Sequence, residues 1–95
     1  MAHELKPQPF DPKELDMLLR RFEVNVRRQI DVRLVRELRQ DLLDTTPPYL
    51  SRTPLLRLAR WCDTEGGVYE DAMLVAREIS MLLFGKVISR RELNT

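Results

Sequence analysis

An all-α fold, a small bundle of about four helices, is what this sequence predicts, and three observations carry the prediction. Apolar residues recur at helical spacing: Leu15, Leu18, Leu19, Phe22 and Val26 form one stripe, and Leu34, Val35, Leu38 and Leu42 form a second. No glycine or proline interrupts the stretch from Lys13 to Thr46. No period-two run is long enough to require a sheet. With 95 residues, 43% hydrophobic and 33% charged, the chain suits one domain with a modest core and a well-solvated surface.

Residues 1–9 hold two prolines and no periodicity, and read as a mobile arm. The first helix opens at Phe10-Asp11-Pro12-Lys13-Glu14-Leu15. Asp11 is placed to cap free backbone N–H groups, and Pro12 at the first helical position loses nothing by lacking its own. Glu14 stands where a capping-box carboxylate reaches back, and Phe10 is spaced to staple onto Leu15. At 3.6 residues per turn the two stripes do not line up on one straight helix. The reading is therefore a break near residues 27–31, in a stretch where Val24, Val26, Ile30 and Val32 lower helix propensity and Asp31 is available as a cap. The alternative is one long helix with a wandering face.

Thr45-Thr46-Pro47-Pro48 ends that region, because a residue before proline is pushed out of the α conformation. Thr53-Pro54 then reads as a cap and first position of the next helix, with Leu55, Leu58, Ala59 and Cys62 inward and Gly66-Gly67 as its stop. A further helix turns Val68, Ala72, Met73, Ala76, Ile79, Leu82 and Leu83 inward and ends before Gly85. The bundle thus spans residues 10–85. Residues 86–95 form a short extension in which Ser89-Arg90-Arg91-Glu92 matches a capping box. That match is either a chance pattern in a frayed end or the start of a further helix, the chain then being the N-terminal module of a longer protein.

Several function classes lose their support. The longest apolar run, Met81-Leu82-Leu83-Phe84, falls far short of the roughly 20 residues that span a bilayer, and no apolar segment after the N-terminus resembles a secretory signal. The single cysteine excludes an internal disulfide and fits a reducing compartment such as the cytoplasm. His3 and Cys62, the only histidine and cysteine, are far apart in sequence, and Cys62 sits on an apolar face as a structural thiol. No Cys/His cluster has zinc spacing, and Gly66-Gly67 lacks a phosphate-binding frame, so no enzyme, metal, cofactor or small-molecule substrate is expected. The carboxylates pair with arginines instead, Asp16 with Arg20 and Glu23 with Arg27 at i,i+4.

Charge is segregated rather than abundant, since the net charge is only +1. Residues 20–39 carry seven arginines (Arg20, Arg21, Arg27, Arg28, Arg33, Arg36 and Arg39) against Glu23, Asp31 and Glu37. Residues 63–78 carry Asp63, Glu65, Glu70, Asp71 and Glu78 against Arg77 alone. Unlike faces on one near-neutral module suit head-to-tail association, and arginine suits it through bidentate bonds to carboxylates. The candidate basic face is Arg27, Arg28, Arg36 and Arg39; the candidate acidic face is Glu65, Glu70 and Asp71. Trp61 falls beside the main stripe of its helix, either half exposed as an aromatic anchor or packed over the core edge.

An all-helical module of this length with opposite charged patches resembles the death-fold superfamily of adaptor domains. The stretch from Leu55 through Trp61-Cys62-Asp63-Thr64-Glu65-Gly66-Gly67-Val68 is similar in outline to the helix–Gly-Gly–helix segment of bacterial effector-associated domains, over about a third of the chain. The resemblance implies a non-catalytic role in homotypic or adaptor–effector association; a full death fold has six helices. The expected function is thus a protein–protein interaction module, meeting a protein partner or copies of itself. One alternative is a helical subunit that docks into a larger complex through an apolar face. A weaker one is nucleic-acid binding through the arginine-rich stretch, with residues 23–27 as a ribbon-helix-helix strand, against which the interleaved acids and small net charge speak. No membrane association is expected.

Overall fold

Asp11 caps the first helix as its position demands, its carboxylate accepting from the Lys13 backbone N–H at 3.0 Å, and α1 runs Pro12–Asn25. The computed structural model describes residues 6–63 and 70–93, and they fold as an all-α bundle of α1, α2 (Gln29–Leu43), α3 (Arg52–Asp63), α4 (Glu70–Phe84) and the single turn α5 (Arg90–Leu93). The break between the first two helices is real. Val26 and Arg28 are extended, while the Val26 side chain stays buried and its N–H still bonds the Phe22 carbonyl at 3.1 Å. A short link therefore re-aims the second stripe onto the same core.

Three expectations about element ends shift. Asp31 does not cap α2; Arg28 holds the cap position without a side-chain bond, and Asp31, third in the helix, turns into the core. Helix α3 starts at Arg52, which puts Thr53 and Pro54 inside its first turn. Proline is tolerated there because the first four N–H groups of a helix have no intrahelical partner. The expected Glu23–Arg27 pair loses its geometry, since α1 ends at Asn25. Val68 and the Gly66-Gly67 stop lie outside the described residues, as does His3. Gly85 does follow α4, with φ of +69°, the left-handed conformation that favours glycine after a helix.

Residues 6–9 and 86–93, expected as arm and extension, are attached to the bundle. The Gln8 backbone N–H donates to the Leu83 carbonyl at 2.7 Å, and its side-chain amide donates to the Leu82 carbonyl at 3.0 Å. Both carbonyls belong to the last turn of α4, where no intrahelical donor remains for them. At the other end of the chain, Ile88 and Leu93 are buried in the common core. The buried Ser80 hydroxyl donates to the Lys86 carbonyl at 2.7 Å and accepts from the Ile88 N–H at 2.8 Å, which holds the segment against α4. The capping box also forms. The Ser89 hydroxyl accepts from the Glu92 N–H and a Glu92 carboxylate oxygen accepts from the Ser89 N–H, both at 3.3 Å.

Side-chain pairs fix the directions of the helices. Asp31–Trp61, Glu37–Arg57 and the bond from the Ser51 N–H to Asp41 step in opposite senses along α2 and α3, so the two are antiparallel. Asp16 and Arg39 pair at equal removes from the α1–α2 link, the pattern of an antiparallel hairpin. Arg21–Glu78 and Gln8–Leu83 likewise set α4 antiparallel to α1. Helices α1–α2, α2–α3, α3–α4 and α4–α1 are in contact, and the ring closes around one apolar core. Phe22 of α1 and Trp61 of α3 meet across its diagonal, ring centroids 5.6 Å apart and planes at 87°, an edge-to-face contact that contributes roughly 0.5–1.5 kcal/mol beyond area burial.

Candidate interaction surface

Burying four apolar stripes leaves the outward helix faces to solvent, and the arginines define one of them. Along α2, Gln29, Arg33, Arg36 and Gln40 recur at i,i+4,i+7,i+11 and are all exposed. Arg27 and Arg28, in the link at its start, are exposed as well. None of these four arginines forms an ion pair with a described residue. The acids counted against them in the sequence are withdrawn. Asp31 is buried, and Glu37 pairs with Arg57 of α3 at 3.1 Å. The outward face of α2 is therefore more basic than its stretch of sequence.

Arg39 does not belong to that face. Its guanidinium binds Asp16 of α1, which also holds Arg20 at 2.9 Å. The Arg39 hydrogen bond, against an opposing desolvation, keeps the Asp16 carboxyl below its usual range, with further help from the Arg39 and Arg20 charges. Arg39 is a fastener between α1 and α2, half-buried by that role. Arg33 takes its place on the surface, and its three-residue spacing from Arg36 was the signal for it in the sequence.

The acidic side is smaller than expected. Asp63 is engaged within the fold, accepting from the Arg90 N–H at 3.1 Å and facing the Arg90 guanidinium at 3.6 Å. Glu78 pairs with Arg21 across α1 and α4 at 3.3 Å. Glu65 lies outside the described residues. Glu70 and Asp71 remain, exposed in the first turn of α4, where negative charge also complements the helix dipole.

Trp61 is no anchor on the surface. Only 9% of it is exposed, because its ring packs on Phe22 and its indole N–H donates to Asp31 Oδ1 at 2.7 Å. A polar partner inside the core drew the ring inward, which helix periodicity alone does not reveal. Cys62 is buried as expected, and its thiol is pushed up to about 12, first by burial and then by the neighbouring Asp63 charge.

One groove accompanies the charged faces. It is shallow, about 920 Å³, and runs between α1 and α4 over Leu18, with Leu74 and Met81 half exposed along its α4 wall. The spacing Leu74, Glu78, Met81 falls off the inward stripe of α4, a signal the sequence reading passed over. Among the described residues, no three His, Cys, Asp or Glu side chains gather to hold a metal, and no helix is long and apolar enough to cross a membrane. Comparison with protein-family models, curated proteins and solved structures returns no match.

Proposed function

We propose that this chain is a non-catalytic protein–protein interaction module whose basic and acidic helical faces join it to further copies of itself. One observation carries the reading. Helices α2 and α4 each touch α1 and α3 but not one another among the described residues, so their outward faces look to opposite sides of the bundle. The first bears Arg33 and Arg36, the second Glu70 and Asp71. Unlike faces on opposite sides make a heterologous contact, which repeats head to tail instead of closing at a dimer. The apolar stripes of α1 to α4 cover one another, which supports charge over apolar docking as the main drive. An adaptor role of the kind implied by the resemblance to death-fold and effector-associated domains fits the same faces. A reducing, intracellular location goes with it, supported by a lone and buried thiol.

Light scattering across protein concentration, at low and at high salt, tests the proposal. Growth beyond the monomer that weakens with salt is the expected result. Dimers indifferent to salt would instead indicate apolar association, and a monomer under every condition would remove self-assembly and leave a different protein as the partner.

A further inference from the structure

The face that α1 and α4 together turn away from the core leaves large apolar side chains in solvent. Met17 and Val24 of α1 and Leu74 and Met81 of α4 are between 49% and 82% exposed. They alternate with charge at one shared spacing, i,i+3,i+7,i+10: Glu14, Met17, Arg21 and Val24 on α1, and Asp71, Leu74, Glu78 and Met81 on α4. That spacing keeps residues along one side of a helix, the kind of seam by which helices pair. The Arg21–Glu78 bridge, at 3.3 Å, ties the two seams side by side on one surface.

Antiparallel packing sets the seams in register about that bridge. Met17 and Met81 stand about one turn to one side of it, and Val24 and Leu74 about one turn to the other. Taken in the same direction, α1 runs apolar, basic, apolar, and α4 runs apolar, acidic, apolar. The face is therefore complementary to itself when α1 of one copy lies over α4 of another. A two-fold axis along the helices makes that overlay and opposes Arg21 to Glu78 twice. An axis across the helices would instead oppose Arg21 to Arg21 and Glu78 to Glu78. At the rim, Asp71 falls level with the α1–α2 link of the other copy, where Arg27 and Arg28 are exposed, and Glu14 with the Gly85-Lys86 stretch after α4.

We infer that the α1–α4 face binds the same face of a second copy about a two-fold axis parallel to its helices. Each of the four helices then runs antiparallel to both its neighbours. Met17 packs on Met81 of the other copy and Val24 on Leu74, around a joined network of two Arg21–Glu78 pairs. The contact is isologous, so it closes at a dimer. It lies on a different face from Arg33 and Arg36 and comes in addition to the head-to-tail contact proposed above. Charge order at its centre sets the orientation, and the apolar pairs on either side supply the buried area.

The test uses the chain carrying Arg33→Glu and Arg36→Glu, which removes head-to-tail growth and leaves the α1–α4 face intact. Sedimentation equilibrium is expected to find a dimer. Adding Leu74→Lys is expected to raise its dissociation constant about tenfold or more. Circular dichroism checks that helicity is retained, and Met17→Lys stands in if Leu74→Lys fails to fold. Adding Arg21→Glu alone, or Glu78→Arg alone, is expected to weaken the dimer to a similar extent, because like charges then meet at its centre. Those two charge variants mixed are expected to pair one to one, since each supplies the charge the other lacks. A monomer in the Arg33→Glu, Arg36→Glu chain, a dimer indifferent to both Leu74→Lys and Met17→Lys, or a charge-variant mixture that stays monomeric overturns the inference. None of these outcomes touches the head-to-tail reading, which falls separately if the wild-type chain grows no further than a dimer.

Discussion

The indole N–H of Trp61 donates to Asp31 Oδ1 at 2.7 Å inside the core, while Asp31 Oδ2, equally buried, has no hydrogen-bond partner among the described residues. A carboxylate at such a depth is held by one bond, and that bond joins α2 to α3 beside the Phe22 ring.

Removing either partner is therefore costly. Asp31→Ala removes the carboxylate that the buried indole N–H donates to and should destabilise by about 1–3 kcal/mol; Trp61→Phe removes the one donor to Asp31 Oδ1 and should cost at least as much. Replacing both, as Asp31→Leu with Trp61→Phe, should cost less than the sum of the single changes, because no polar group is then left unpaired. Urea unfolding followed by circular dichroism measures all three, and strictly additive losses would show that the bond carries no coupling.

Charge reversal should separate fold from assembly. Arg33→Glu with Arg36→Glu alters only the outward face of α2, so head-to-tail assembly should fail while the thermal midpoint holds. Arg39→Glu sets a second carboxylate against Asp16 and should lower the midpoint itself. A midpoint unchanged by Arg39→Glu would mean that the α1–α2 pair contributes nothing.

Acid should loosen the same pair. The folded Asp16 carboxyl lies below its ordinary value, so its contribution is complete above the unfolded pKa near ~4 and is lost as pH falls through the folded one. Glu92, held down first by the Lys86 hydrogen bond, behaves in the same sense at α5. Stability against pH should fall on the acid side, and Arg39→Gln should flatten that limb by removing the main cause of the Asp16 shift. A limb as steep in Arg39→Gln as in the wild type would assign it to other groups.

The Cys62 thiol should be silent in the folded protein. With its pKa pushed up to about 12 and its side chain buried, almost no thiolate is exposed at neutral pH. A thiol reagent should react only as the chain unfolds, at a rate that rises with urea. Prompt labelling without denaturant would place the thiol within reach of solvent.

Much of the fold was legible because periodicity reports burial directly. The stripes from Leu15 to Val26 and Leu34 to Leu42 are buried as expected, and the phase slip between them located the break. Local cap chemistry at Asp11 and at Ser89–Glu92 was readable for the same reason: donors and acceptors a few residues apart obey fixed geometry. What sequence did not disclose were partners distant along the chain. Asp31 looked like a cap until Trp61, thirty residues later, took it inward. Arg39 looked like surface until Asp16 claimed it, and Gln8 looked loose until α4 supplied two carbonyls. The candidate surface was correspondingly half legible: Arg27, Arg28, Arg36, Glu70 and Asp71 are exposed, Arg39 is half-buried against Asp16, Trp61 is buried, and Arg33, Leu74 and Met81 join through spacing that had been available.

The closure of α4 onto α1 also orders events in time. During synthesis α1 emerges first and α2 soon after, yet the apolar residues of α1 that α4 covers must wait for the last long helix. Until then Leu18 and its neighbours have only the hairpin partner, and a loop from Gln8 to Leu83 must close before the ring is complete. Folding of this chain is thereby tied to completion of translation through α4: a nascent chain stalled before Glu70 leaves the α4 side of its core open to water, whatever its first two helices have achieved.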